Sequence, residues 1–420
     1  MFTNANLSFE AAPPINVVLR FFLTGAIFAT LAGVAIFFNF DTLFNIYAPS
    51  TLSIVHILTL GVVTNFLLGA LFQMLPVIAG VSIANSQLVA MRVHYTLLVG
   101  IIFLLSAFLD SSAILYLLAA IFLGFSLFYS SFVGIRELIK INHSSSSKGM
   151  LYSLISFIFV VILAFILIYL KNGFSLGVDF LEVKKLHLFF GLFGVFMLLI
   201  FSVSFQVIEM FYVTPPYPKE YAKYVTTTIF GLLLLSLIAP KWSSFFISLI
   251  ALIAIYHSIT TLKLLKAKKR AVTDVTIWLW YLGMVNLILF SLGFILNNFF
   301  DINIVLLSIF FSFFILSIIL AMVFKIVPFL VWFQLNRQGY FDGPMMHEVI
   351  HPKVAKRVFY IFISSYILFI GGVVISLFAY IGAILFFSTF LTLAILIYLA
   401  WQKYIFTLKN GTKIDFPSNV

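Results

Sequence analysis

Residues 150–170 read MLYSLISFIFVVILAFILIYL, twenty-one consecutive positions without a charged side chain. A run this long and this apolar matches the roughly 30 Å hydrocarbon core of a bilayer when it is wound as one helix. Comparable runs lie near 15–39, 51–80, 91–110, 112–135, 187–213, 222–239, 242–264, 275–298, 302–333, 356–378 and 380–402, with the run above counted as 149–170. The expected fold is therefore all-α: a polytopic membrane protein of about twelve transmembrane helices, forming a single transmembrane domain over 1–420 whose first partner is the lipid bilayer. Composition agrees, since 63% of residues are hydrophobic and 9% charged, against about a quarter charged in soluble domains. The chain has no cysteine, which excludes disulfides, thiolate metal sites and iron–sulfur ligation by its own side chains. The opening MFTNANLSFEAAPPIN lacks a basic n-region and a small-residue cleavage site, so the first apolar run is read as a permanent helix rather than a signal peptide.

Orientation follows from the basic residues. With twelve spans, one side collects nineteen Lys and Arg, the other only Lys171, Lys184, Lys185 and Lys241, and Lys325 falls within a span. The positive-inside rule then predicts both termini cytoplasmic, as in a bacterial-type inner membrane. The +11 formal charge is accordingly a topology signal and not a nucleic-acid footprint. The run KLLKAKKR at 263–270 reads as a cytoplasmic anchor.

A repeat lies in the inward-going spans. Span 2 contains HILTLGVVTNFLLGALFQMLP and span 6 HLFFGLFGVFMLLIFSVSFQVIE, each beginning with a histidine (His56, His187) and closing on Phe-Gln. Span 10 closes on VFKIVPFLVWF, so that Phe72, Phe205 and Phe324 align and Gln73, Gln206 and Lys325 share one position, with Pro76, Glu209 and Pro328 three residues on. Four spans separate each pair, which divides the chain into three quasi-repeats of four, approximately 15–135, 149–264 and 275–402.

Twelve helices in three such arcs, with His56 upstream of G-A-L-F-Q-M-L-P, resemble subunit I of the heme–copper oxidase superfamily, cytochrome oxidase subunit I and its relatives among nitric oxide reductases and NnrS-type nitric-oxide-response membrane proteins. The resemblance implies that His56 ligates a heme, heme b by type, and that His187 ligates copper. It also requires a histidine pair in span 7 and two more in span 10, and neither span contains a histidine. A catalyst reducing O₂ or NO needs an open iron facing a second metal and fed by a ligated electron-transfer heme. The depleted set excludes that chemistry and leaves a non-oxidase heme- or copper-binding accessory of respiration or nitric oxide handling, with respiratory or redox subunits as the implied partners. Two other function classes stay open: a metal-free transporter or assembly scaffold, and a zinc protease.

The tier Gln73, Gln206, Glu209 and Lys325 lies about 25 Å of helix from His56, and if spans 2, 6 and 10 line the centre, Lys325 and Glu209 are expected to meet there. That tier reads either as a structural lock or as the start of an ion route. His94 and His257 read as packing or interfacial residues, and Asp110, Asp179 and Asp301 as helix caps. The protease reading rests on GPMMHEVIHPK at 343–353, where His347, Glu348 and His351 form H-E-x-x-H, a zinc-protease pattern when both imidazoles share one helical face. Pro352 directly after His351 disfavours that geometry and argues against zinc.

Overall fold

The computed structural model describes residues 12–269 and 274–414, so the first eleven residues, whose reading bore on a signal peptide, and Arg270 lie outside it. Twelve helices are long and apolar enough to cross a membrane, and no strand occurs among the described residues. They are α1 (Ile15–Phe44), α2 (Pro49–Ala79), α3 (Ser86–Asp110), α4 (Ala113–Leu138), α5 (Ser145–Lys171), α6 (Phe180–Tyr212), α7 (Lys219–Ile238), α8 (Pro240–Lys266), α9 (Val275–Leu296), α10 (Ile304–Arg337), α11 (Pro352–Gly372) and α12 (Ser376–Asn410).

Several helices begin earlier than hydropathy alone places them, because short polar side chains cap their first turns. Ser144 accepts from Ser147 N at 3.1 Å, which starts α5 within the SSSS run, and Asp179 accepts from Glu182 N at 2.9 Å, which starts α6 two turns before His187. Of the three aspartates expected to cap helices, only Asp179 does so. Ser112 caps α4 where Asp110 was expected, and Asn303 caps α10 where Asp301 was expected. At the other end of α2, Gly80 adopts φ +69° and its N–H returns to Pro76 O, a left-handed C-cap that glycine enters without a Cβ penalty.

Packing separates the helices into two layers. Nine form a closed ring in the order α1, α3, α4, α5, α7, α8, α9, α11, α12 and back to α1, and α2, α6 and α10 stand inside it. Burial of the most apolar stretch is 61% for α2, 78% for α6 and 67% for α10, and at most 50% for any ring helix. Each quasi-repeat thus contributes three ring helices and one inner helix. Most buried apolar residues from Ile15 to Tyr404 form one core, and Leu104, Ala107, Phe108, Tyr116 and Ala119 of α3 and α4 form a small second one. The ring closes where Gly33 of α1 meets the Phe387 backbone of α12. A Cβ there would fall 2.9 Å from Phe387 N, so a side chain would force the two helices apart.

Both described chain ends share one end of the bundle with the loops after the even-numbered helices. Gln334 Nε2 donates to Pro13 O at 3.0 Å, Thr412 N donates to Asp342 Oδ2 at 2.8 Å, and Lys269 N donates to Val213 O at 3.0 Å. This is the basic end, where the lysines and arginines gather. His56 and His187 lie toward the other end.

Candidate functional site

The two inner histidines are followed by the same backbone irregularity. In α2 the helix is α from Pro49 to His56, π from Ile57 to Thr64 and α again from Asn65. In α6 it is α from Phe180 to Phe189, π from Phe190 to Met197 and α from Leu198. Helix α10 runs from Ile304 to Arg337 without interruption. A π segment widens the helix and disturbs the regular pairing of its carbonyls, and such segments concentrate at functional sites. Polar side chains reinforce both here. Asn65 Nδ2 donates to Gly61 O at 2.9 Å and to Leu60 O at 3.2 Å, and Ser153 Oγ of α5 donates to Val195 O at 3.0 Å.

His56 Nδ1 lies 2.8 Å from Leu52 O, and His187 Nδ1 lies 3.1 Å from Val160 O. A carbonyl oxygen only accepts, so each Nδ1 carries the proton and each Nε2 carries the lone pair. No hydrogen bond to a described residue occupies either Nε2. The rings are half-buried, that of His56 resting against Phe108 with centroids 4.9 Å apart. They are also close enough that a charge on one would be felt by the other. An imidazole held through Nδ1–H to a backbone carbonyl, with Nε2 free, is the arrangement in which histidine ligates metals.

Among the described residues no group of three or more His, Cys, Asp and Glu is placed to hold a metal ion. Two imidazoles alone fall short of the three or four protein ligands of zinc sites. They suffice for a group that brings its own equatorial ligands, as a porphyrin does, or for copper(I), which accepts imidazole at low coordination.

The inner tier differs from the sequence expectation. Lys325 does not meet Glu209, which is exposed on the bundle surface; it pairs with Asp274, the residue that caps α9. The Asp274 carboxylate also accepts from Thr276 N at 3.0 Å and from the Thr276 hydroxyl, and Tyr212 O–H donates to Thr276 Oγ1 at 2.9 Å. The Lys325 ammonium lies 5.5 Å from the Tyr212 ring centroid. Burial alone would raise the Asp274 carboxyl, but the bonds from Lys325 and Thr276, with the charge of Lys325, outweigh it and hold it below the usual carboxylate range. The repeat alignment had no means of finding Asp274, because this residue has no counterpart at the repeat position; the cap signature D-V-T before an apolar run is the signal that marks it. Gln73 is buried with its Oε1 unpartnered, and Gln206 is half-buried.

Between the two tiers lies a partly open apolar cavity of about 60 Å³, walled by Phe66, Ala70 and Met74 of α2, Leu199 and Val203 of α6, and Met322 and Ile326 of α10, with Trp280 of α9. A space this small and apolar stays dry. It separates the lysine tier from the histidines and offers an ion no polar ligands.

The H-E-x-x-H stretch does not form one helical face. His347 and Glu348 sit in a single turn, Met346–Val349; the chain then extends through Ile350, and His351 is the N-cap of α11 with its Nδ1 accepting from Lys353 N at 3.1 Å. Glu348 Oε2 accepts from Met345 N at 2.8 Å, which closes that turn, and the three side chains are exposed. His257, fully buried, stacks on Phe201 with centroids 3.7 Å apart and bonds to Ser204 and Tyr221 through its two nitrogens, a packing role with both nitrogens occupied.

No protein-family model matches this chain and no curated protein matches it in sequence, so its own residues carry the functional argument.

Proposed function

We propose that this chain is a heme- or copper-binding membrane protein, similar in architecture to subunit I of the heme–copper oxidases but not an oxidase, serving as an accessory to respiration or nitric oxide handling. The observation that carries the reading is the pair His56 and His187: the outer ends of two inner helices, Nδ1 tied to carbonyls, Nε2 free, and π-helical backbone beginning within three residues of each. The arrangement of nine ring helices around three inner ones supports it, since the resemblance rested on three quasi-equivalent arcs.

When bound, such a group supplies one-electron redox chemistry. The chain's part is to hold two neutral imidazoles in fixed tautomers, which Leu52 O and Val160 O accomplish, and to keep the site close to one membrane face. His56 and His187 would hold such a group, which would supply electron transfer rather than reduction of O₂ or NO. In this reading the positive-inside rule has the basic end facing the cytoplasm and the histidines facing the outer side of a bacterial inner membrane. Redox subunits are the partners this reading implies.

The test is the visible spectrum of the detergent-purified protein, oxidised and dithionite-reduced, with metal analysis of the same sample. A Soret band with stoichiometric iron, or stoichiometric copper without one, is the expected result. A colourless, metal-free protein from heme- and copper-replete cells sinks the reading and leaves a transporter or assembly scaffold.

A further inference from the structure

Helix α1 carries Asn16, Arg20 and Thr24 at four-residue steps, so three polar side chains share one face of a mostly apolar helix. That face looks toward the start of α3. Thr24 Oγ1 lies 2.8 Å from His94 Nε2, Arg20 is near enough to His94 for the two to interact electrostatically, and the guanidinium stands 5.6 Å over the Tyr95 ring. Yet the group is incomplete. Arg20 Nη1, His94 Nδ1 and Asn16 Oδ1 are all buried without a hydrogen-bond partner among the described residues, and His94 is only 5% exposed. The ion pairs among the described residues are those of Glu137 with Arg136 and Lys140, and of Asp274 with Lys325. Arg20 has none.

A guanidinium nitrogen without solvent or acceptor is among the costliest groups to leave unmatched, and a second orphaned nitrogen beside it points to a missing shared partner. We propose that Arg20 and His94, with Asn16 at the rim, cradle a phosphate-type oxyanion, and that its source is the headgroup of a membrane lipid. The guanidinium fork matches two phosphate oxygens. His94 Nδ1 offers an N–H when the Thr24 hydroxyl donates to Nε2, and a flipped Asn16 amide presents its NH₂ in place of its oxygen. Two observations favour lipid over a soluble anion. Tyr95, beneath the guanidinium, is 55% exposed on the outer surface of the ring and therefore faces lipid. Arg20 also lies five residues into α1, about 7.5 Å of rise, a depth from which an arginine stem reaches headgroup level. The cradle is at the opposite end of the bundle from His56 and His187 and does not depend on what they bind.

Native mass spectrometry of the full-length, delipidated protein tests this, with phosphatidylglycerol, diacylglycerol and inorganic phosphate as probes. The wild type should bind phosphatidylglycerol tightly and diacylglycerol weakly, and Arg20→Gln should weaken the phosphatidylglycerol complex by about ten- to a hundredfold, the loss expected for charge-assisted bonds. Arg20→Lys, which keeps the charge but not the fork, should fall between. Displacement of the lipid by inorganic phosphate would keep the oxyanion cradle and assign it to a soluble ligand. Equal binding of diacylglycerol, or unchanged phosphatidylglycerol binding in a folded Arg20→Gln, overturns the proposal. If Arg20→Gln does not fold, unchanged binding in His94→Gln overturns it equally.

Discussion

Helices α2 and α6 differ from α10 in a way that their shared position in the bundle does not require. All three are inner helices and all three align on a phenylalanine, Phe72, Phe205 and Phe324. Only the first two carry a histidine upstream, and only those two turn π-helical within three residues of it, at Ile57 after His56 and at Phe190 after His187. In α10 the corresponding stretch, residues 306–308, has no imidazole, the backbone stays α throughout, and the helix carries Lys325 at its basic end instead. The irregular backbone therefore travels with the histidine, not with central location. That is the pattern expected if the π segment serves to set the imidazoles, since nothing in packing three inner helices side by side calls for it in two of them.

The largest effect should come from breaking that association at the ligand. In the double variant His56→Ala, His187→Ala, purified protein should lose its stoichiometric iron or copper altogether, while the helical circular dichroism stays as in the wild type. Metal analysis and the visible spectrum decide the matter. Metal retained in full by the double variant would detach the π segments from cofactor binding and return both histidines to a structural role.

Next in size is the charge in α10. Removing Lys325 as Lys325→Met leaves the Asp274 carboxylate partly buried and without its cation. Breaking a fully buried pair costs about 3–5 kcal/mol, and because the Asp274 side chain is 34% exposed the expected loss is smaller, about 2 kcal/mol. The double variant Lys325→Met, Asp274→Asn should recover most of it, as read by unfolding of the purified protein in detergent. The pair also predicts a pH dependence. Asp274 is held below its ordinary pKa, so its contribution is present above the unfolded-state value of about 4 and is lost as pH falls through the lower folded value. Wild-type stability should drop at acid pH more than that of the double variant. Equal acid sensitivity would mean that the pair contributes nothing.

These expectations mark how much the sequence tells and where it stops. Hydropathy locates all twelve helices, and the alignment of Phe72, Phe205 and Phe324 groups the three that turn out to be inner. The partner of Lys325 was not legible, since alignment of repeats compares equivalent positions and Asp274 has none. Nor were the π segments: hydropathy has no period that distinguishes eight π residues inside a long apolar run. Arg20 entered only as one basic residue in the orientation count, and His94 read as a packing or interfacial residue. Their association depends on which face α1 turns toward α3, a tertiary fact that no single run of residues encodes.

A smaller effect tests the π segments directly. Asn65 donates to two carbonyls of the α2 segment, at 2.9 and 3.2 Å. Asn65→Val should cost about 1–2 kcal/mol, the loss of two interior hydrogen bonds with the carbonyls left dry. Ser153→Ala, which removes one donor from the α6 segment, should cost about 1 kcal/mol. If both substitutions are neutral in thermal unfolding, the π geometry does not rely on these donors. A cofactor-free sample more sensitive to them than a loaded one would tie the segments to the site more firmly still.

The smallest effect belongs to the most conspicuous motif. In H-E-V-I-H the Glu348 carboxylate closes a one-turn helix through Met345 N, and Lys403 Nζ donates to the Glu348 and Val349 carbonyls, anchoring the same turn to α12. Glu348→Gln keeps an oxygen that can accept the Met345 N–H and leaves the Lys403 contacts, which involve only backbone oxygens. On that account it should change stability by less than about 0.5 kcal/mol and leave the metal content of the protein as it was. The zinc-protease reading makes the opposite forecast, a general base lost and with it all turnover, but it needs two imidazoles on one face, and here one lies in an isolated turn while the other caps the next helix. Bound zinc that falls to zero in His347→Ala, measured on the same preparations, would show that the stretch rearranges to bind metal and would shift attention from the inner helices to this loop.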